Sequence, residues 1–133
     1  MSFTIMARGI SGGKGTGELL VSGEAISFLS GVDPETGIVI ESGHPLEGKS
    51  IGGKVLAFPH GKGSTVGSYI IYALRRNGKA PSAIINIEAE TIIAVGAIIA
   101  DIPMVDKPEK PISGIPEGSV VTVNGDTGEI IVE

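Results

Sequence analysis

The sequence predicts an α/β fold: a layered β/β/α body with a short parallel β-α-β-α-β unit inside it and a C-terminal β-hairpin. Three observations carry this reading. Between Gly52 and Asp106, short continuous apolar runs (Lys54–Phe58, Ala83–Ile87) alternate with helix-period text, as buried parallel strands and their crossover helices do. The text on either side is strands and turns. Finally, 21 glycines and 8 prolines among 133 residues are about twice the usual share. They call for tight turns, or for loops where backbone approaches a ligand.

Taken in order, Phe3–Arg8 reads as a strand and Ser11–Gly17 as a glycine-dominated loop, with a strand resuming over Glu18–Ser22. Ala25–Leu29 fits either a strand or a short helix. Asp33-Pro34-Glu35-Thr36-Gly37 is turn chemistry, with proline presetting φ and glycine free to take φ > 0; Gly37–Glu41 then reads as a strand. After the strand Lys54–Phe58 comes the loop Pro59–Gly63, then a helix from Thr65 to about Asn77. Its apolar positions Val66, Tyr69, Ile70, Ala73 and Leu74 recur at helical spacing. Ser64 suits its start, Arg75 and Arg76 its last turn, and Gly78 its end. Ala83–Ile87 is a strand, Glu88–Ala100 a nearly wholly apolar helix packed between layers, and Ile102–Asp106 a third strand. Lys107–Ile115, bearing Pro108 and Pro111, connects to the hairpin. There Ser119–Val123 faces Glu129–Val132 across the turn Asn124–Gly128.

Composition bounds the function. The length suits one domain over residues 1–133, and 41% apolar against 19% charged residues excludes a disordered tail. Ten basic against fifteen acidic residues, net charge −5, with no basic cluster beyond Arg75-Arg76, argues against a general nucleic-acid binder. There is no cysteine, hence no disulfide framework and no thiolate for zinc or an iron–sulfur cluster in this chain. His44 and His60 alone cannot build a metal site. No basic-then-apolar leader opens the sequence, and Thr91–Ala100 is too short to span a bilayer. The expected compartment is the cytoplasm.

Gly43-His44-Pro45-Leu46-Glu47-Gly48-Lys49-Ser50 has the letters of a phosphate-binding P-loop. That loop works because a helix starts at its Lys-Ser end. Here Ile51-Gly52-Gly53 and a strand follow, so the run is expected to be a turn. Gly61-Lys62-Gly63-Ser64-Thr65 is the better candidate, because it lies between a strand end and a helix start. Ligand crevices of open α/β units sit at the carboxyl ends of the strands, and free amides at a helix start favour an anion. Ser64 is either a helix cap or a hydroxyl at the dipole's positive end. Lys62 is either a solvated side chain or a charge beside the ligand. Spacing alone leaves both pairs open. Glu88 and Glu90 face the same edge or form the acidic first turn of the next helix, while Asp101 and Asp106 read as turn and capping residues. No Ser/His/Asp triad has support.

Ser27-Phe28 with Gly31–Gly37, His44–Gly48, Val55–Pro59 with Gly61–Ser64, Ala80–Ile84 and Gly96–Pro103 resemble the signatures of the small subunit of the aconitase-X family. They occur in the same order and cover most of the chain, the Gly-Lys-Gly-Ser loop being the most specific piece. The resemblance implies a swivelling β/β/α domain that pairs with a large subunit of aconitase type as a heterodimer. It implies that the partner's cysteines hold the iron–sulfur cluster, [4Fe–4S] in the family's phosphomevalonate enzymes, and that this chain binds no cofactor. The implied reaction is loss of water from a phosphorylated hydroxy acid, (R)-5-phosphomevalonate, to give trans-anhydromevalonate 5-phosphate on a mevalonate route to isoprenoids. Bacterial members dehydrate cis-3-hydroxy-L-proline instead, a discrimination that lies mostly in the partner.

The family's proton-accepting serine matches Ser64, with Gly61, Lys62, Gly63 and Thr65 in supporting, substrate-binding roles. A serine hydroxyl is a weak base. It becomes plausible where helix-start amides and Lys62 stabilise its alkoxide. A reading of another class is a phosphohistidine-type carrier domain, but such domains need a histidine within a Thr/Ser/Gly-rich loop, and His60 precedes Gly61 instead.

Overall fold

The computed structural model describes residues 2–63 and 66–133. In chain order the elements are β1 (Phe3–Met6), β2 (Arg8–Ser11), β3 (Lys14–Val21), α1 (Phe28–Gly31), β4 (Val55–Phe58), α2 (Gly67–Arg76), β5 (Ala83–Asn86), α3 (Thr91–Ile99), β6 (Met104–Asp106), a 3-10 turn at Ile112–Gly114, β7 (Val120–Asn124) and β8 (Glu129–Val132). The strands run in the order β1-β8-β7-β3-β4-β5-β6-β2. β3 is shared between two sheets. Its residues 14–18 pair antiparallel with β7, and its residues 19–21 pair parallel with β4. The parallel run β3-β4-β5-β6 carries α2 and α3 as its crossovers, while β1, β8 and β7 form the antiparallel half.

Strand alternation sorts the side chains into two layers. Val55, Ala57, Ala83, Ile85 and Val105 point to the antiparallel sheet and meet Ile5, Val121, Val123, Ile130 and Val132. Leu56, Phe58, Ile84 and Met104 point the other way and meet Ile71, Leu74, Ile93 and Ala97 of the helices. The result is the expected β/β/α order. The central strands are buried on both faces, which is why β4 and β5 read as continuous apolar runs rather than alternating ones.

α2 ends as its sequence indicates. Lys79 N–H donates to Leu74 O at 2.8 Å and Gly78 N–H to Arg75 O at 3.1 Å, with Gly78 at φ +70°, a Schellman closure. Its inward face is Gly67, Ile71 and Leu74. It is not Val66 and Tyr69, since Tyr69 is 72% exposed. The expected cap Ser64 and the expected first helical residue Thr65 lie outside the described residues.

Four expectations are corrected. Phe3–Arg8 is two strands broken at Ala7, whose N–H donates to Gly128 O at 2.8 Å. Ser11–Gly17 is mostly strand. Gly15 and Gly17 sit in β3 where it crosses under Ser82 and Gly53, and a Cβ at either would strike those carbonyl oxygens. They mark close backbone approach rather than a flexible loop. Gly37–Glu41 forms only isolated bridges, Val32 with Val39 and Ile38 with Ser50. The helix expected over Glu88–Ala100 spans Thr91–Ile99 and is covered on one face only. Val95, Ile98 and Ile99 are exposed on the other.

The P-loop look-alike is a turn, as expected. Gly43 and Gly48 take φ +79° and +82°, Gly43 N–H donates to Glu47 Oε1 at 3.0 Å, and no helix follows Lys49-Ser50. His44 is buried and holds this segment in place. Leu46 N–H donates to its Nδ1 and its Nε2 reaches Ala25 O, each at 3.1 Å.

Candidate functional site

The parallel strands end together, and their carboxyl ends set the site. β4 stops at Phe58 before Pro59, whose carbonyl accepts from Ile87 N–H at 3.0 Å and Glu88 N–H at 3.3 Å. The loops after β4 and β5 are thereby joined. The first of them is then pinned to the chain ahead of α1. Ile26 N–H donates to His60 O at 3.3 Å and Lys62 N–H to Ile26 O at 3.0 Å. His60 Nδ1 donates to the Gly61 carbonyl at 2.8 Å, the only sense a carbonyl permits.

The two glycines of the loop are each required. A Cβ on Gly61 would collide with Ile93 and lie 2.8 Å from Glu90 Oε1. Gly63 sits at φ +96°, and a Cβ there would be 2.8 Å from Ser27 Oγ, a left-handed position that suits glycine. Lys62 points to the surface, where its Nζ meets Glu41 Oε2 at 3.2 Å. Both partners are partly exposed, so the pair contributes only about 0–1 kcal/mol and is readily exchanged. Ser64 and Thr65, the central candidates, lie outside the described residues.

The neighbouring loop is capped by its own acid. Glu90 Oε1 accepts from Ile93 N–H at 2.7 Å and Oε2 from Ile92 N–H at 3.1 Å, so Glu90 is the N-cap of α3. Asp101 is a turn residue as expected, at φ +56°. Asp106 is not a cap. Its carboxylate, fully buried at the end of β6, takes Arg8 Nε and Nη2 at 2.8 Å each and Ala89 N–H at 2.8 Å. Burial alone would raise its pKa, but the hydrogen bonds from Arg8 and Ala89 outweigh that and hold it below the ordinary carboxylate value. The same bond raises the Arg8 guanidinium. A fork-to-fork pair thus fixes the β5–α3 loop against β2.

Sequence reasoning passed over Asn86, the last residue of β5. It is fully buried, its Nδ2 donates to Phe58 O at 3.1 Å and Ile85 O at 3.3 Å, and its Oδ1 has no partner among the described residues. An unmet buried acceptor costs about 1–3 kcal/mol. The signal was available: an amide in a four-residue strand whose other members are apolar. Across the sheet, the same strand ends border an apolar cleft of about 510 Å³ walled by Val21, Ala57, Ile85, Pro108 and Ile112, which none of Gly61, Lys62 and Gly63 lines.

The residues do not fit a resident iron–sulfur cluster. The chain has no cysteine, and among the described residues no group of three or more His, Asp or Glu could hold a metal ion. No helix among them is long and apolar enough to cross a membrane. What the geometry does provide is a backbone loop held to its surroundings on two sides, at the crevice where an α/β unit meets its ligand.

Comparison with known proteins gives this geometry a family. The family model described as the aconitase X swivel domain matches residues 4–132. The phosphomevalonate dehydratase small subunit of Methanosarcina acetivorans is 60% identical over 127 residues, 95% of this chain and 88% of that protein. That of Methanocella arvoryzae is 62% identical over 122 residues, 91% of this chain and 92% of that protein. A crystal structure of Thermococcus kodakaraensis aconitase X in its holo-form superposes with a TM-score of 0.93 at 55% identity, covering 98% of each chain. With nearly its whole length matched in sequence and in fold, the chain belongs to the aconitase X swivel domain family.

Proposed function

We propose that this chain is the small subunit of a cytoplasmic two-subunit hydro-lyase that removes water from (R)-5-phosphomevalonate, yielding trans-anhydromevalonate 5-phosphate on a mevalonate route to isoprenoids. The observation that carries the reading is the near-full-length identity of about 60% to proteins named phosphomevalonate dehydratase small subunit. The Pro59–Gly63 loop supports it, being built for a ligand-facing role at the carboxyl ends of parallel strands.

Dehydration of a β-hydroxy acid needs a base for the proton on the carbon beside the carboxylate. Ser64 takes that proton. Its sequence position, three residues ahead of Gly67 at the start of α2, lets helix-start amides stabilise its alkoxide. Gly61 and Gly63 let the backbone come close to the substrate, and Thr65 lies next to the base. Lys62 leaves its weak pair with Glu41 to add positive charge to the closed site. The [4Fe–4S] cluster belongs to the large subunit, whose cysteines replace those this chain lacks.

Co-expression with the large subunit tests the proposal. Water loss from (R)-5-phosphomevalonate is expected only when both chains are present, with iron and sulfide confined to the large one. Turnover by the isolated small chain would overturn the division of labour. A complex that dehydrates cis-3-hydroxy-L-proline and leaves phosphomevalonate untouched would overturn the substrate.

A further inference from the structure

The last residue of β5 breaks the pattern of its sheet. On the helix-facing side of β4 and β5 stand Leu56, Phe58 and Ile84, and alternation puts Asn86 on that same side. Two carbonyl oxygens, of Phe58 and Ile85, receive its Nδ2. The amide's orientation is therefore fixed, because the reverse would set Oδ1 against both. Oδ1 is then left as the one buried side-chain polar atom without a partner among the described residues. The other buried polar side chains with a bond to show behave differently: Ser22, Ser27, His44 and Asp106 are each hydrogen-bonded. An apolar side chain at this place would carry no orphaned acceptor, so the apolar layer around it does not ask for an amide. What an amide does here, and leucine cannot, is hold the carbonyl of Phe58. That is the residue from which Pro59 and the loop toward Ser64 depart.

We propose that Asn86 is a positioning residue, fixing the angle at which the Pro59–Gly63 loop leaves β4 and so the placing of the chemistry that loop delivers. The unpaired Oδ1 is the cost accepted for that hold, the kind of local compromise found beside functional sites. The inference rests on the reading of the loop as the dehydratase's proton-accepting segment, but one arm of its test does not.

Asn86→Leu and, should leucine pack badly, Asn86→Ala are made in the two-subunit complex. Assembly is expected to match the parent. For leucine the thermal midpoint should move little, since loss of the two Nδ2 bonds offsets removal of the orphan, and for alanine it should fall modestly through the cavity left. At the same time kcat should fall by about 10²-fold with KM little changed, the usual effect of a small misplacement of a reacting group. Hydrogen exchange at the amides of residues 60–63 should quicken about tenfold as the loop loosens. Parent-rate exchange in that segment would overturn the proposal whether or not the complex acts on phosphomevalonate. So would a lowered midpoint with kcat unchanged, which would mark Asn86 as a core residue only. A parent complex without dehydratase activity would sink the functional reading alone, leaving exchange to decide this one.

Discussion

Gly61→Ala tests the packing beneath the candidate loop. The added Cβ would overlap Ile93 Cγ1, lie 2.7 Å from Ile93 Cδ1 and 2.8 Å from Glu90 Oε1, where ordinary contacts begin near 3.4 Å. Three reliefs exist. Ile93, 2% exposed and β-branched in a helix, can rotate off its preferred χ1 at about 0.5–1.5 kcal/mol. Glu90 can abandon its cap at about 1 kcal/mol. Or the loop can lift away from Ile26, giving up the Lys62 N–H bond at 3.0 Å. Any mixture puts the cost at about 2–3 kcal/mol, in the range of other overpacked cores. At roughly 2.1 cal/mol/K of unfolding entropy per residue, a chain of 133 residues loses about 7–11 °C of midpoint. The assay is thermal unfolding of the purified chain by circular dichroism, beside Gly114→Ala as control, where a Cβ meets nothing within 4 Å. A Gly61→Ala midpoint within about 2 °C of the parent would refute the close approach of the loop to α3.

Three further outcomes follow from the same structure. Ser64→Ala should leave assembly intact and lower dehydration by about 10²–10⁴-fold in steady-state assays of the complex; loss of about 1 kcal/mol of stability with turnover kept would make Ser64 a helix cap only. Asp106 titrates lower folded than unfolded, so its stabilising contribution is complete above the ordinary carboxylate value and is lost as pH falls through about 4 and below. Acid unfolding of Asp106→Asn should accordingly show a shallower pH dependence than the parent, and an identical slope would contradict the pairing. Leu56→Ala, at a fully buried position between sheet and helices, should lower the free energy of unfolding in urea by about 2–5 kcal/mol.

The parallel unit and the hairpin were legible because their signals are local. Val55–Phe58 and Ala83–Ile85 are continuous apolar runs in strands buried on both faces, and Asn124-Gly125 announces a turn. The start of β3 was not legible. Gly15 and Gly17 read as loop formers, and only the crossing of Ser82 and Gly53 over them shows why glycine serves in a strand. Gly37–Glu41 has strand composition, but its neighbours offer single bridges instead of a ladder. α3 is apolar all round, so periodicity could not say which side stays open; Ile98 and Ile99 do. Of the candidate site, Gly61-Lys62-Gly63 is suggested by its place between strand and helix, and the role proposed for Ser64 rests on resemblance alone. Asn86 and the Arg8–Asp106 pair stayed hidden, since their meaning depends on partners 28 and 98 residues away.

The sharing of β3 between two sheets bears on the order in which the protein can be made. Lys14–Glu18 pair with residues 120–124, and Phe3 pairs with Val132, so the antiparallel half joins opposite ends of the sequence. During synthesis that half cannot close until residue 132 has left the ribosome. The strands from Leu19 to Asp106 already have every parallel partner by then. Until the hairpin arrives, β3 offers a free edge of backbone groups along Lys14–Glu18, open to pairing with another chain. Loop closure over such separations is slow relative to local pairing. For a nascent subunit, the interval between exposing that edge and covering it is the time of greatest exposure to aggregation.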